Sequence, residues 1–193
     1  MNRTIISSKF PAGTAIAALL VLAMAWAAVM PVSAHAATAK EIDAKVNATL
    51  KEFKDQVKGA AGFLKDAKGV LVFPGVIKAG LVVGGEYGEG ALRIHGRTQG
   101  YYSIAAASVG FQLGAQKKDI ILVFLQQKAL DNFMNSSGWK VGVDGSVALV
   151  DLGTGGSLDT MKLNKPIVGF VLGQKGLMYN LTLEGSKITK LDK

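Results

Sequence analysis

Glu86, Glu89 and His95 are the side chains whose types and spacing could support acid–base chemistry in this sequence. Two carboxylates can act as general acid and base when both reach the same bond. The glutamates stand three residues apart in an extended stretch, so their side chains point to opposite faces unless a bulge intervenes. His95 is the only histidine after residue 36. We expect it to be an exposed turn residue.

The sequence lacks most of the residues that usually bind transition metals or form nucleophilic catalytic pairs. The sequence has no cysteine and only two histidines, which disfavours the common transition-metal sites and the Ser/His and Cys/His pairs. A hydrolase remains an alternative. It would need Ser103, Ser108 or Thr154 within hydrogen-bond reach of His95 or of a carboxylate. We predict a protein that is not an enzyme and has no cofactor and no metal site.

The stretch 68–92 has the pattern of glycine-rich strand sequence that the later parts of the chain repeat. An apolar run at 70–73 is followed by Pro74 and Gly75 and then by the glycine-rich segment 84–90. A phosphate loop would open a helix and commonly carry a lysine, whereas here Glu86 and Glu89 would repel phosphate and residues 91–94 indicate more strand. Glycine lets a strand bend sharply or another backbone approach closely. The stretch therefore predicts a curved sheet.

The rest of the chain is also rich in predicted strands. Residues 99–115 are predicted to form strand, with clean apolar alternation from Val109 to Ala115. Lys117, Lys118 and Asp119 indicate a polar turn, and 120–125 a strand buried on both faces. Further predicted features are strands at 139–152, 166–172 and 177–183, a short helix at 129–134, a loop at 153–156, and hairpin turns at 173–176 and 184–187.

An amphipathic helix is predicted from Thr38 to Leu64, with a capping box of Thr38 and Glu41. Its apolar stripe recurs at spacings of three and four and consists of Ile42, Val46, Leu50, Phe53 and Val57. The stripe could pack on the sheet or lie on a membrane. Residues 40–58 contain five lysines and four acidic residues. This small net positive charge would attract the helix only weakly to an anionic surface. We therefore favour docking on the core.

The overall expectation is an α+β fold. It consists of a strongly curved, mostly antiparallel, glycine-rich β-sheet or barrel, flanked by the N-terminal amphipathic helix and a short helix.

Residues 1–36 have the pattern of a secretory signal peptide. Arg3 and Lys9 precede the apolar segment 15–30, and Ala34-His35-Ala36 is a small-residue cleavage site. We predict cleavage after Ala36, leaving 37–193 as one domain, with an uncleaved anchor as the alternative. The apolar run is shorter than the roughly 20 residues that a membrane span needs. The expected location is periplasmic or secreted, where peripheral membrane association is compatible with the sequence.

Charge favours an anionic partner. The whole chain carries a formal net charge of +8, which falls by two when Arg3 and Lys9 are removed. Outside the cytoplasm the abundant anion is a phospholipid or lipopolysaccharide surface. The sequence contains no helix-turn-helix, zinc-finger or RNA-binding aromatic signature. We predict contact with anionic phospholipid or a membrane surface and no nucleic-acid partner.

Five ordered blocks resemble the SYLF domain family, also called the lipid-binding or actin-binding domain of yeast actin-patch proteins. They are the segments 68–74, 78–80, 84–90, 108–116 and 183–186. The resemblance covers nearly all of the chain after about residue 40. It implies lipid binding, with phosphoinositides among the ligands of eukaryotic members and actin bundling in some fungal ones. The signal-like start suggests a secreted bacterial member.

Basic residues beside apolar surface are the expected lipid site. The candidates are Lys68, Lys78, Arg93, Arg97, Lys117 and Lys118, and the membrane-helix candidates are the five residues of the apolar stripe. Tyr101, Tyr102 and Trp139 could anchor at an interface or pack in the core. The leading hypothesis is a non-enzymatic lipid-binding protein of the bacterial envelope, or secreted. The alternative is a structural or adhesive envelope protein that binds a protein partner, including host actin.

Overall fold

The computed structural model describes residues 37–80, 83–109, 114–150, 165–175 and 183–193. The helices in these ranges are α1 (Ala39–Gln56), α2 (Ala60–Asp66) and α3 (Gln127–Met134). The strands are β1 (Gly69–Gly80), β2 (Val83–Ile94), β3 (Arg97–Val109), β4 (Gly114–Phe124), β5 (Trp139–Lys140), β6 (Val147–Val150), β7 (Ile167–Lys175) and β8 (Lys187–Leu191). Residues 1–36, including the predicted signal peptide, lie outside the described residues, as do the loop 153–156 and most of the predicted strand 177–183.

The strands form one strongly curled sheet in the order β5-β8-β3-β2-β1-β4-β7-β6. Strand β1 is central and pairs antiparallel with β2 and with β4. Among the described strands only β6 and β7 pair in parallel. The α+β fold with a curved, mostly antiparallel sheet and an N-terminal helix is therefore confirmed.

Two glycines allow the central strands to bend and to approach each other. Gly75 has a φ of 64° and lies where the register of β1 shifts against both neighbours, which is the geometry of a bulge. At Gly90 a Cβ atom would stand 1.9 Å from the carbonyl oxygen of Val72. A side chain at Gly90 would therefore push β2 away from β1.

The sheet is buried on both faces over about half of β1 and β4, because their apolar residues alternate between two cores. One core lies under α3. There the ring centroid of Phe133 is 5.0 Å from that of Tyr102, 5.2 Å from that of Phe124 and 5.7 Å from that of Trp139. The other core lies under α1 and α2, where the ring centroids of Phe170 and Phe53 are 4.8 Å apart. Continuous apolar runs such as 120–124 fit this two-sided burial.

The predicted helix at 38–64 is two helices in the structure. Gly59 adopts a left-handed conformation with a φ of 88° and separates α1 from α2. The predicted capping box is confirmed, since the Thr38 side chain accepts from the Glu41 amide and the Glu41 side chain accepts from the Thr38 amide. These hydrogen bonds, first of all the one from the Thr38 backbone, lower the pKa of the exposed Glu41 carboxyl.

Two predicted turns are wrong. Lys117, Lys118 and Asp119 lie inside β4 rather than in a turn. The side chains of Lys117 and Asp119 lie on one face of the sheet and that of Lys118 lies on the other, where it pairs with Glu86. The turn predicted from residue 173 is absent, since β7 continues to Lys175. Gly173, with a φ of 65°, lies instead where the β4–β7 register shifts between Lys117 and Asp119. Glycine allows a bulge at this position without ending the strand.

Polar contacts hold α1 on the sheet in addition to its apolar stripe. The Asp43 carboxylate accepts hydrogen bonds from Thr98 at 2.9 Å and Tyr101 at 3.1 Å and pairs with Arg93 at 3.2 Å. Burial, reinforced by the hydrogen bond to Asp43, raises the pKa of the Tyr101 hydroxyl. A second contact joins the Thr49 hydroxyl to Asp119 at 2.7 Å. The helix is therefore positioned by directional bonds as well as by burial.

Replacing Asp43 tests this docking. Asp43→Ala leaves Arg93, Thr98 and Tyr101 without their shared acceptor, so we expect the free energy of unfolding to fall by about 1–3 kcal/mol in urea denaturation. Asp55→Ala is the matched control on the same helix. Its ion pair with Lys51 is solvent-exposed, and its loss should change stability by less than about 0.5 kcal/mol. Equal effects of the two variants would show that Asp43 does not hold the helix.

Candidate functional site

The six basic residues predicted to bind lipid do not form one cluster. Lys68, Arg97 and Lys117 are exposed, Arg93 is half-buried, and Lys78 and Lys118 are buried. Lys68 precedes β1, whereas Arg97 begins β3 beside the β2–β3 turn. Sequence spacing could not show this dispersal, because it depends on strand pairing.

Lys118 forms a buried ion pair inside the sheet. Its Nζ lies 3.0 Å from Glu86 Oε2, and the two side chains are 2% and 6% exposed. Lys78 stands directly opposite Glu86 across β1 and β2 and is 8% exposed. Buried charges need partners of opposite sign, so Glu86 explains how Lys118 can lie in the sheet interior. A lysine used in this way is not available to a membrane surface.

Arg93 is also engaged within the protein. Besides its ion pair with Asp43, it donates a hydrogen bond of 3.0 Å to Asn47 Oδ1. Its Nε is buried and has no hydrogen-bond partner among the described residues. Arg93 therefore joins the end of β2 to α1, and its charge is shared with a carboxylate.

The apolar stripe of α1 faces the sheet. Ile42, Val46, Phe53 and Val57 are buried in the core under the helices, where they take no part in the protein surface. Leu50 differs, because it is half-buried and borders an open groove. No helix in the described ranges combines the length and the hydropathy of a membrane span.

This groove lies between α1, α2 and the adjoining ends of β1 and β2, and its volume is about 720 Å³. Its apolar lining consists of Leu50, Ala61, Leu64, Ala67 and Val70. Its charged lining consists of Lys51, Lys54, Asp55, Lys65 and Arg93, with His95 from the β2–β3 turn. The volume falls within the roughly 300–1,000 Å³ of small-molecule sites. The groove combines apolar surface with an excess of positive charge.

Two groove lysines are free to meet a ligand. Lys54 and Lys65 are exposed and form no ion pair with a described residue. Lys51 pairs with Asp55 at 2.7 Å, and the hydrogen bond of this pair raises the pKa of Lys51. Exposed pairs of this kind are weak. Sequence reasoning missed Lys65 because it treated 38–64 as one helix, whereas the break at Gly59 brings α2 back beside α1.

A second exposed surface lies on the sheet itself, which we call the bare face. One row of directly paired residues crosses five strands and consists of Lys117, Ile77, Tyr87, Ala105 and Lys187. The next row consists of Ala115, Ala79, Gly85 and Ala107. Ile77 and Tyr87 are 56% and 53% exposed, and Val83 at the start of β2 is 68% exposed. A group of exposed apolar side chains marks an interaction surface.

Acid–base candidates are not brought together. Glu86 is buried on the face under α3, and Glu89 lies on the opposite face, as their spacing predicts. His95 is exposed in the β2–β3 turn. Within the described residues, no three His, Asp or Glu side chains are grouped so that they could hold a metal ion. The side chain of Ser108, and all of Thr154, lie outside the description.

Comparison with family models gave a match in the C-terminal part of the sequence. Residues 105–193 match the model described as Ysc84, Las17-binding protein actin regulator, the domain also called SYLF. These residues are therefore similar to the SYLF family. The resemblance predicted from the sequence is confirmed. A comparison with curated proteins gave no match.

SYLF domains form a family of binding domains related to lipid and actin binding, and they are not known as enzymes. The matched range begins within β3 and contains three residues of the long row of the bare face, Ala105, Lys117 and Lys187. The groove is built from residues 47–96 and precedes this range. The groove therefore lies outside the residues that match the family model.

The role of Lys118 within the SYLF domain can be separated from ligand binding. Lys118→Met leaves the buried Glu86 carboxylate without its cation, so we expect unfolding to become easier by about 3–5 kcal/mol in urea denaturation. The double variant Lys118→Met/Glu86→Leu should recover most of this loss. Lys117→Met, one residue away and exposed, should change stability by less than about 0.5 kcal/mol. A stable Lys118→Met single variant would show that the pair does not support the fold.

Proposed function

We propose that this protein is a non-enzymatic lipid-binding protein that contacts anionic phospholipid through the groove between α1 and α2. The observation that carries the proposal is the groove itself, with an apolar lining of five residues and the free lysines Lys54 and Lys65. An acyl chain would bury apolar area against Leu50 and Leu64. The phosphate would meet the lysines, which act as mobile point charges.

Charge supports an anionic ligand. The groove is bordered by four cationic side chains and one carboxylate, and Lys51 can leave Asp55 at little cost because both are in solvent. Each basic residue near an anionic membrane surface contributes about 1 kcal/mol. Lys54 and Lys65 together would therefore contribute about 2 kcal/mol, or roughly thirtyfold in affinity.

The proposed location follows from residues 1–36. Their charged start, apolar segment and small-residue cleavage site support export from the cytoplasm of a bacterium. In the envelope the protein would meet phosphatidylglycerol and other anionic lipids. Peripheral association through the groove is the form of membrane contact that we propose, with α1 remaining on the sheet.

Liposome co-sedimentation tests this function. We expect the wild type to bind vesicles increasingly as phosphatidylglycerol replaces phosphatidylcholine, and binding to weaken at high salt. Lys54→Gln/Lys65→Gln should reduce binding roughly thirtyfold, and Ala61→Gln should reduce it by placing a polar side chain in the groove. Lys128→Gln/Lys190→Gln is the matched control, since both lysines are exposed elsewhere. Absence of wild-type binding, or equal losses in the two double variants, would refute the proposal.

Binding of a protein partner is the second candidate function, and the bare face favours it. Its exposed Ile77, Val83 and Tyr87 are surrounded by alanine and glycine, so a partner could approach the sheet closely. The family description supports an actin-related partner. This function would use a different surface from the groove.

Actin co-sedimentation distinguishes the two surfaces. If the bare face binds actin filaments, Ile77→Asp/Val83→Asp should lose most of the binding, because burying an unpaired carboxylate in an interface is costly. Val143→Asp is the control, since Val143 is 73% exposed outside the bare face. Filament binding that survives in Ile77→Asp/Val83→Asp would exclude this face as the contact, and no binding by the wild type would exclude actin.

A further inference from the structure

Glu89 joins the two ends of the described chain. Its Oε2 accepts a hydrogen bond of 3.2 Å from the backbone nitrogen of Ala37 and lies 3.0 Å from Nζ of Lys193. Its Oε1 accepts from the Tyr87 hydroxyl at 3.0 Å. Lys193 also donates to the carbonyl oxygen of Ala37. The Glu89 and Lys193 side chains are only 12% and 11% exposed.

The backbone nitrogen of Thr38, the residue after Ala37, is also hydrogen-bonded to a carboxylate. The Thr38 backbone nitrogen donates to the Glu41 carboxylate at 2.8 Å. Carboxylates therefore accept from the first two backbone nitrogens that follow Ala36. Glu41 belongs to the capping box of α1, whereas Glu89 comes from the middle of β2 and has no local reason to face residue 37. Ala37 also packs against the core under the helices.

The position of this contact coincides with the cleavage site expected from the sequence. Ala34-His35-Ala36 predicts cleavage between Ala36 and Ala37. In the intact chain the Ala37 nitrogen is a neutral amide. Hydrolysis of that peptide bond by a signal peptidase adds one water: Ala36 leaves with a carboxylate, and Ala37 keeps the nitrogen as an α-ammonium group. The new charge then stands beside Glu89 without any movement of the chain.

We propose that Glu89 is the receptor for the N-terminus created by signal-peptide removal, so that export converts an amide–carboxylate hydrogen bond into an ion pair. This inference is separate from lipid binding. The ammonium group adds the attraction of opposite charges to the hydrogen bond that the amide already donates to the carboxylate. In the processed protein one carboxylate accepts from two cations and from Tyr87. Cleavage thereby anchors the start of α1 to β2 and to Lys193, and the second half of α1 borders the groove.

The first test determines where the signal peptide is cleaved. The full 193-residue chain is expressed in a bacterium and recovered from its envelope, and the intact mass and N-terminal sequence are determined. Ala37 should be the first residue. An unprocessed chain, or a different first residue, would overturn the proposal.

The second test measures the coupling of the new N-terminus to Glu89. Four exported proteins are compared by thermal and urea unfolding: the wild type, Glu89→Gln, a chain with one glycine inserted between Ala36 and Ala37, and the combination. The insertion moves the ammonium group by one residue and restores a neutral amide at Ala37. Lys193 is present in all four proteins, so its pairing with Glu89 cancels in the double-mutant cycle.

We expect Glu89→Gln to raise the unfolding equilibrium constant about fivefold more in the natural processed protein than in the glycine-extended one. Mass measurement verifies that the extended protein begins at the inserted glycine. Equal effects of Glu89→Gln in both backgrounds would mean that Glu89 serves Lys193 and Tyr87 alone, and the proposal would be rejected. Liposome binding of the wild type is scored separately, since the outcome of this cycle does not depend on it.

Discussion

The carboxylate of Asp119 holds together three elements on which the rest of the structure depends. Its Oδ1 accepts the Gly75 amide at 2.6 Å, and its Oδ2 accepts the Thr49 hydroxyl at 2.7 Å. The first bond satisfies an amide at the bulge of β1, and the second attaches α1 to β4. A bulge leaves one residue outside the regular ladder, so a side-chain acceptor there stabilises the bend. One strand position thus couples the curvature of the sheet to the placement of the helix.

The bend separates two parts of the same sheet face. Near the start of β1 the face is covered by α1 and α2, and the groove lies beside Gly69 and Val70. Beyond the bulge, Ile77 and Ala79 belong to the bare face. The molecule therefore offers a concave surface with free lysines and a flatter apolar surface. These features suit different partners, one amphiphilic and small, the other broad.

Charge is used in two ways. Lys118 and Arg93 are paired with carboxylates and contribute to the architecture, whereas Lys54 and Lys65 remain in solvent beside an apolar lining. Residue type alone does not distinguish these uses, since all four are basic. Their distinction depends on which face of a strand or helix they occupy and on what stands opposite. For this reason the six basic candidates, which lie in and beside the SYLF-like blocks, were incomplete guides to a binding surface.

Several features could be predicted from local sequence because their causes are local. The capping box needs only Thr38 and Glu41 on one helical turn, the apolar stripe of α1 follows from its spacing, and Glu86 and Glu89 point apart because strand residues alternate. Curvature was predicted from glycine, whose missing Cβ permits the contact of Gly90 with Val72. Lys117 to Asp119 were misplaced in a turn, because the partners that keep them in a strand, Glu86 for Lys118 and Gly75 for Asp119, are 32 and 44 residues away. The sequence by itself determined most of the elements, the sheet curvature and the resemblance to the SYLF family. Only the tertiary structure decided which charges are buried, where α2 packs to form the groove, and that Glu89 meets residue 37, because each of these depends on contacts between segments that are distant in the sequence.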